Sequence, residues 1–219
     1  MKQKHASIPI FVPHFACPNH CVFCNQKRIS GASQPPSDLY GFLKAAAENL
    51  SSRFSEVDIA FFGGSFTGIP KPEMIHYLSA AKRIREEFPQ ITGIRLSTRP
   101  DYINEEILHL LLSYGVTAVE LGVQSLDDGV LSLSERGHTA ADTFRAVECL
   151  KSFPFELILQ LMPGLPGDTG ETIRKTAEQT VLLHPDGVRI YPCVVLRDTP
   201  LAKAYLRGDF SPLTVEEAV

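Results

Sequence analysis

Six short runs rich in β-branched and aromatic residues, at 8–12, 57–62, 94–97, 118–123, 155–161 and 187–191, alternate with stretches of helical periodicity at 37–53, 72–88, 104–114, 139–152 and 169–183. Runs of that length fit buried strands, and the spacers are long enough for crossover helices. The alternation predicts an α/β fold: a parallel sheet with right-handed crossovers, curled into a partial TIM-like barrel of six βα units. Two helix starts are marked. Pro72 suits a first turn, and Asn104 ahead of Glu105 and Glu106 reads as an N-cap followed by acidic residues that favour the dipole. At 219 residues and 44% hydrophobic, the chain has the size for one domain with a sizeable core, and no linker or low-complexity tract divides it. Thr214, followed by Glu216 and Glu217, reads as the opening of a further helix, so residues 1–219 are expected to be a core domain that continues past Val219 in the natural protein.

The chemically unusual segments each follow a strand. Cys17 to Cys24 come after the first, Gly63-Gly64-Ser65-Phe66-Thr67 after the second and Thr98-Arg99-Pro100-Asp101 after the third; Gln124 and Ser125, then 162–167, then Pro192 and Cys193 follow the remaining three. In barrels of parallel strands those loops share one face, and that face carries the active site. One pocket is therefore expected to collect all six segments.

Five cysteines is an odd number, and three of them, Cys17, Cys21 and Cys24, crowd into eight residues. That layout is poor for disulfides and good for a metal, and it points to a reducing compartment. No segment approaches the roughly 18 apolar residues of a membrane span, and 8–12 is too short for a signal-peptide core. The expectation is a cytoplasmic protein without a membrane partner. Thiolates select zinc or iron–sulfur clusters, and a four-iron cluster on three thiolates keeps one iron open for a ligand. A zinc site that adds His14 or His20 is the competing arrangement. Cys149, inside an apolar helical pattern, reads as a core residue, and Cys193 as a buried thiol near the pocket. The net charge of −4 argues against a chain-wide basic surface. Lys82, Arg83 and Arg85, beside Glu86 and Glu87, read as a solvated helix face.

The CxxxCxxC spacing with Phe23 just before the last cysteine resembles the signature of radical S-adenosylmethionine (SAM) enzymes. The resemblance implies a 4Fe-4S cluster on Cys17, Cys21 and Cys24 whose open iron takes the amino and carboxylate groups of SAM. It also implies reductive cleavage of SAM to a 5′-deoxyadenosyl radical, with the electron drawn from a donor such as flavodoxin or ferredoxin. Gly63-Gly64-Ser65 resembles the glycine pair that lets the backbone approach the methionyl amino group, since glycine removes the Cβ obstacle. It is not a Walker loop, because no lysine follows at the required spacing.

Longer stretches narrow the likeness. Glu120 to Ser125, Glu135-Arg136-Gly137-His138-Thr139, Ser97 to Tyr102, Gln160 to Gly167 and Arg189-Ile190-Tyr191-Pro192 resemble, in matching order, the catalytic subunit of Elongator, whose radical SAM domain takes part in modifying the wobble uridine of tRNA. A more distant resemblance to oxygen-independent coproporphyrinogen III oxidase shares Gly122-Val123-Gln124-Ser125 and an arginine twelve residues after the glutamine. It implies that Gln124 hydrogen-bonds the SAM ribose and that Arg136 pairs with the methionyl carboxylate, roles that an amide and a guanidinium fork can fill. Two positions depart from these families. Ser97 stands where an acidic residue is common, and Gln160 where the oxidase group has an aspartate. Glu120 could face the pocket, but strand alternation leaves its direction open by one residue. The expected SAM contacts are thus Phe23, Gly63, Gly64, Ser65, Ser97, Gln124, Arg136 and Gln160. For the substrate, tRNA stands against a porphyrin or other small molecule, and a non-catalytic iron–sulfur or zinc module is the third reading.

Overall fold

A computed structural model describes residues 5–12, 17, 21–25 and 36–218. Six strands, β1 (His5–Val12), β2 (Glu56–Gly63), β3 (Ile91–Thr98), β4 (Ala118–Gln124), β5 (Glu156–Leu161) and β6 (Gly187–Ile190), form one sheet in chain order. Every neighbouring pair is parallel. The five expected helices connect them: α1 (Leu39–Ser51), α2 (Lys71–Glu87), α3 (Glu105–Ser113), α5 (Ala140–Lys151) and α6 (Gly170–Leu182). With the strands in chain order, right-handed crossovers place the helices on one face of the sheet, and β4 is buried along its whole length apart from Gly122.

The caps follow the sequence. Asn104 Oδ1 accepts from the Ile107 amide at 2.9 Å, Pro72 lies in the first turn of α2, and Thr139 with Asp142 forms a capping box on α5. Three further helices appear. α4 (Asp128–Leu133) interrupts the β4–α5 connection, α7 (Pro200–Arg207) follows β6, and α8 (Val215–Ala218) begins after Thr214, whose Oγ1 accepts from the Glu217 amide. The basic residues of α2 are spent locally: Lys82 donates to the Ser113 carbonyl, Arg83 lies over the Tyr40 ring and pairs with Glu87, and Arg85 donates to the Gly115 carbonyl. Among the described residues no helix is long and apolar enough to cross a membrane.

Two pieces of packing bear on the strand ends. Phe66, in the 3-10 turn Phe66–Gly68, is fully buried and stacks on Phe61 with ring centroids 4.7 Å apart. That anchor fixes the turn just after Gly63-Gly64-Ser65. In the loop after β5, Gly164 and Gly167 both have positive φ, and Leu213 and Leu133 occupy the places where their Cβ atoms would project. Any side chain there would meet both backbone strain and a packed leucine.

Candidate active site

A cavity of about 710 Å³ opens at the C-terminal ends of the strands, and it gathers the expected residues. Cys17, Cys21, Phe23 and Cys24 line it from the loop after β1, and Gly63, Gly64 and Ser65 from the end of β2. Ser97 comes from β3, Gln124 from β4, Arg136 from the turn before α5 and Gln160 from β5. The two positions that depart from the related families, Ser97 and Gln160, therefore both face this space.

The cysteine segment is tied down at one residue from two sides. The Val22 amide donates to the Ser134 carbonyl at 3.1 Å, and the Val22 carbonyl accepts from the Leu201 amide at 2.9 Å. Beside it the Cys24 amide donates to the Cys21 carbonyl at 3.0 Å, forming a tight turn. Asn25 Nδ2 donates to the Asp198 carbonyl at 3.2 Å. Phe23 and Val22 pack on a small apolar cluster of Val130, Leu165, Cys193 and Leu201. Cys193 is thus backing for the cysteine segment, and burial, assisted by the nearby Asp168 charge, pushes its thiol pKa up to about 11. Cys149 sits against the main core, as expected. His14 and His20 lie outside the described residues.

The end of β4 departs from regular strand geometry, and the departure serves the site. Against β5, Gly122 pairs with Gln160 but Gln124 pairs with Leu161, so Val123 is an extra residue in a bulge. Gln124 follows at φ 69°, a left-handed conformation rare for a side chain of its size. Its carbonyl accepts from the Met162 amide at 2.9 Å and its Oε1 from Gln160 Nε2 at 3.3 Å. Arg136, buried, donates through Nη2 to the Gly122 carbonyl at 2.6 Å and reaches Cys21 Sγ through Nη1 at 3.5 Å. A Cβ on residue 122 would come within 2.8 Å of that Nη2, so glycine is what lets the guanidinium lie on the strand. His138, also buried, binds the Val123 carbonyl at 3.2 Å through Nε2. Burial, followed by the charges of Arg136 and Arg99, lowers the His138 pKa to about 4, so it is neutral at pH 7.

Several lining residues had no assigned role in the sequence, among them Arg99, Gly122, Met162, Tyr191 and Asp198. Arg99 carried a signal, an Arg-Pro-Asp group directly after a strand, and Tyr191 another, a Tyr-Pro pair after β6. Glu120 does not line the cavity. Its carboxylate accepts from Arg189 Nε at 2.9 Å, and burial raises its pKa despite the opposing charges of Arg189 and Arg95. Arg189 in turn reaches the Tyr191 hydroxyl at 3.4 Å.

Comparison with known proteins accords with this geometry. Residues 11–180 match the radical SAM superfamily, and residues 185–219 match the radical SAM C-terminal domain. Because β6 pairs with β5, the two matched segments share one sheet. The tRNA uridine(34) acetyltransferase of Methanocaldococcus infernus is 38% identical over 146 residues, covering 65% of this chain and 27% of that protein. Mouse Elongator complex protein 3 is 27% identical over 197 residues, covering 78% of this chain and 36% of the relative. The chain therefore spans well under two thirds of the length of these relatives. Among solved structures, M. infernus Elp3 with an N-terminal deletion superposes with a TM-score of 0.75 at 28% identity, covering 98% of this chain and 51% of that one. Coproporphyrinogen III oxidase from Escherichia coli shares the fold, with a TM-score of 0.64 at 20% identity over 98% of this chain and 49% of its own. From a family match across most of its length and a cysteine loop set at the mouth of a six-stranded parallel sheet, the chain belongs to the radical SAM superfamily.

Proposed function

We propose that the cavity holds a 4Fe-4S cluster on Cys17, Cys21 and Cys24 with SAM beside it, and that the chemistry acts on the wobble uridine of a tRNA. The observation that carries this reading is convergence: eleven residues picked from six separate segments line one space of about 710 Å³. That volume lies within the range of small-molecule sites.

The donor set fits the cluster. Three soft thiols line the cavity, and a guanidinium reaches one of them. Among the described residues no three His, Cys, Asp or Glu side chains gather tightly enough for a single metal ion. A four-iron cluster takes each thiolate on a different iron and does not require them to meet at a point. When bound, the cluster and SAM supply a one-electron reductive cleavage that yields a hydrogen-abstracting carbon radical.

The chain's own residues hold and orient. Gly63, at φ 106°, and Gly64 bring bare backbone to the cavity edge, where amide and carbonyl groups can meet an amino acid. Ser65 and Ser97 add hydroxyls on the same side. Arg136, fixed on Gly122, offers its guanidinium to a carboxylate, and the amides of Gln124 and Gln160 suit sugar hydroxyls. Phe23, packed on the small apolar cluster, would give the cysteine segment an apolar wall. An external donor such as flavodoxin or ferredoxin in the cytoplasm would deliver the electron.

The tRNA assignment is supported by the names of the relatives, a tRNA uridine(34) acetyltransferase and Elongator complex protein 3. The test is 5′-deoxyadenosine formation by the reconstituted protein under strong reductant, with and without tRNA. A tRNA carrying uridine at the wobble position should raise the rate, and the same tRNA with cytidine there should not. Equal behaviour of the two RNAs would refute it.

A further inference from the structure

Two guanidiniums stand behind the cysteine segment, and the second of them, Arg99, is only 1% exposed. It sits between β3 and the 3-10 turn Pro100–Tyr102. Its Nε and Nη2 donate to the two carboxylate oxygens of Asp101 at 2.9 and 2.8 Å, a bidentate grip. Its Nη1 donates to the Arg136 carbonyl at 2.7 Å. Arg136 then reaches Cys21 Sγ at 3.5 Å, so a continuous hydrogen-bonded chain runs from Asp101 through Arg99 and Arg136 to a cysteine.

The two members of the ion pair are screened unequally. The Asp101 side chain keeps 27% of its surface in contact with solvent, whereas that of Arg99 keeps 2%. Water weakens the field of the carboxylate, while the guanidinium field spreads through protein toward the cavity. Burial alone would lower the Arg99 pKa, but Asp101, followed by the charges of Cys21 and Cys17, holds it above its ordinary value. Arg99, Cys17, Cys21 and Cys24 line the same cavity, which places this charge beside the cysteine segment.

We propose that Arg99 is a positioning residue that fixes Arg136 through its main-chain carbonyl and, by its sealed positive charge, raises the reduction potential of the cluster held by Cys17, Cys21 and Cys24. This rests on the cluster reading given above. The step concerned is a single electron taken from an external low-potential donor, with no bond made or broken and no proton moved. A cluster on three thiolates becomes more negative when it takes that electron, and a nearby buried cation stabilises the more negative state. Asp101 opposes the same effect.

The experiment is a redox titration of the SAM-free, anaerobically reconstituted protein, following the cluster by absorbance and electron paramagnetic resonance, with iron content measured in parallel. Arg99→Gln should lower the midpoint, reducing the ratio of reduced to oxidised cluster about tenfold at a fixed potential, or about 59 mV for one electron. Arg99→Lys should keep most of the wild-type value, and Asp101→Asn should move it upward. Opposite signs from neighbouring substitutions are something general loosening would not produce. Equal shifts for Arg99→Gln and Arg99→Lys, or no shift in any variant, would overturn the inference while leaving the cluster intact. Should Arg99→Gln fail to fold, Asp101→Asn decides alone: an upward shift supports the inference, and none or a downward one overturns it. A wild-type protein that binds no iron would overturn the cluster reading itself, and the iron assay identifies that outcome separately.

Discussion

Both ends of the barrel carry ionic groups, built to different rules. At the N-terminal end His5 Nε2 lies 2.9 Å from Asp58, and Arg95 reaches Asp58 at 3.7 Å and Glu156 at 3.2 Å, joining β1, β2, β3 and β5. His5 and Glu156 are about half exposed, at 46% and 53%. At the C-terminal end Arg99 and Arg136 are buried, and main-chain carbonyls and a thiol accept from them alongside the single carboxylate of Asp101. Exposed pairs gain little and are screened by salt. Buried guanidiniums suffer a desolvation cost that is best met by excellent geometry and an anion. The difference teaches that the lower network ties strands together, whereas the upper one holds positive charge beside the cysteines, as the proposed cluster and SAM sites would require.

The largest expected effect comes from removing an anion at the upper end. Cys21→Ala should drop bound iron from about four per chain to near none, read by iron assay and visible absorbance, with the fold retained by circular dichroism. Arg136→Ala comes next. It should weaken SAM binding by about 1.5–3 kcal/mol, the value of a hydrogen bond to a charged group, with iron content unchanged in the same calorimetry samples. Unchanged SAM affinity with lost stability would instead make Arg136 purely structural.

His138 offers an acid-side test. Its folded pKa of about 4 lies below the ordinary 6.5, so the unfolded chain binds the proton first as pH falls. The stability it contributes is complete above pH 6.5 and lost progressively toward pH 4. Between pH 6.5 and 5 wild-type urea unfolding should lose roughly 2 kcal/mol to this group, and His138→Gln should flatten that slope. The smallest effect belongs to the lower end. Glu156→Gln should cost under about 1 kcal/mol, fade at high salt, and leave iron and SAM binding untouched; a loss of SAM affinity there would break the contrast between the two ends.

The strands were legible because short β-rich runs recur between longer helical spacers. The cysteines, Gly63, Gly64, Gln124 and Arg136 were legible because each lies in a short segment whose spacing is itself the signal. The bulge between Gly122 and Gln124 was not, since it is set by pairing with β5, and without it the direction of Glu120 could not be fixed. α4 spans six residues and α7 eight, too short for apolar periodicity alone to mark a helix, although Thr199-Pro200 and Gly208 mark both ends of α7. The place of Arg99 depends on the carbonyl of a residue 37 positions away, a contact that only the folded chain creates.

The most direct measurement is anaerobic reconstitution of the wild-type chain with iron and sulfide, followed by metal analysis and 5′-deoxyadenosine detection after adding SAM and dithionite. About four irons per chain and reductant-dependent 5′-deoxyadenosine are expected, both lost in Cys21→Ala. One zinc per chain, no iron uptake and no 5′-deoxyadenosine would contradict the central claim that Cys17, Cys21 and Cys24 hold a cluster that cleaves SAM.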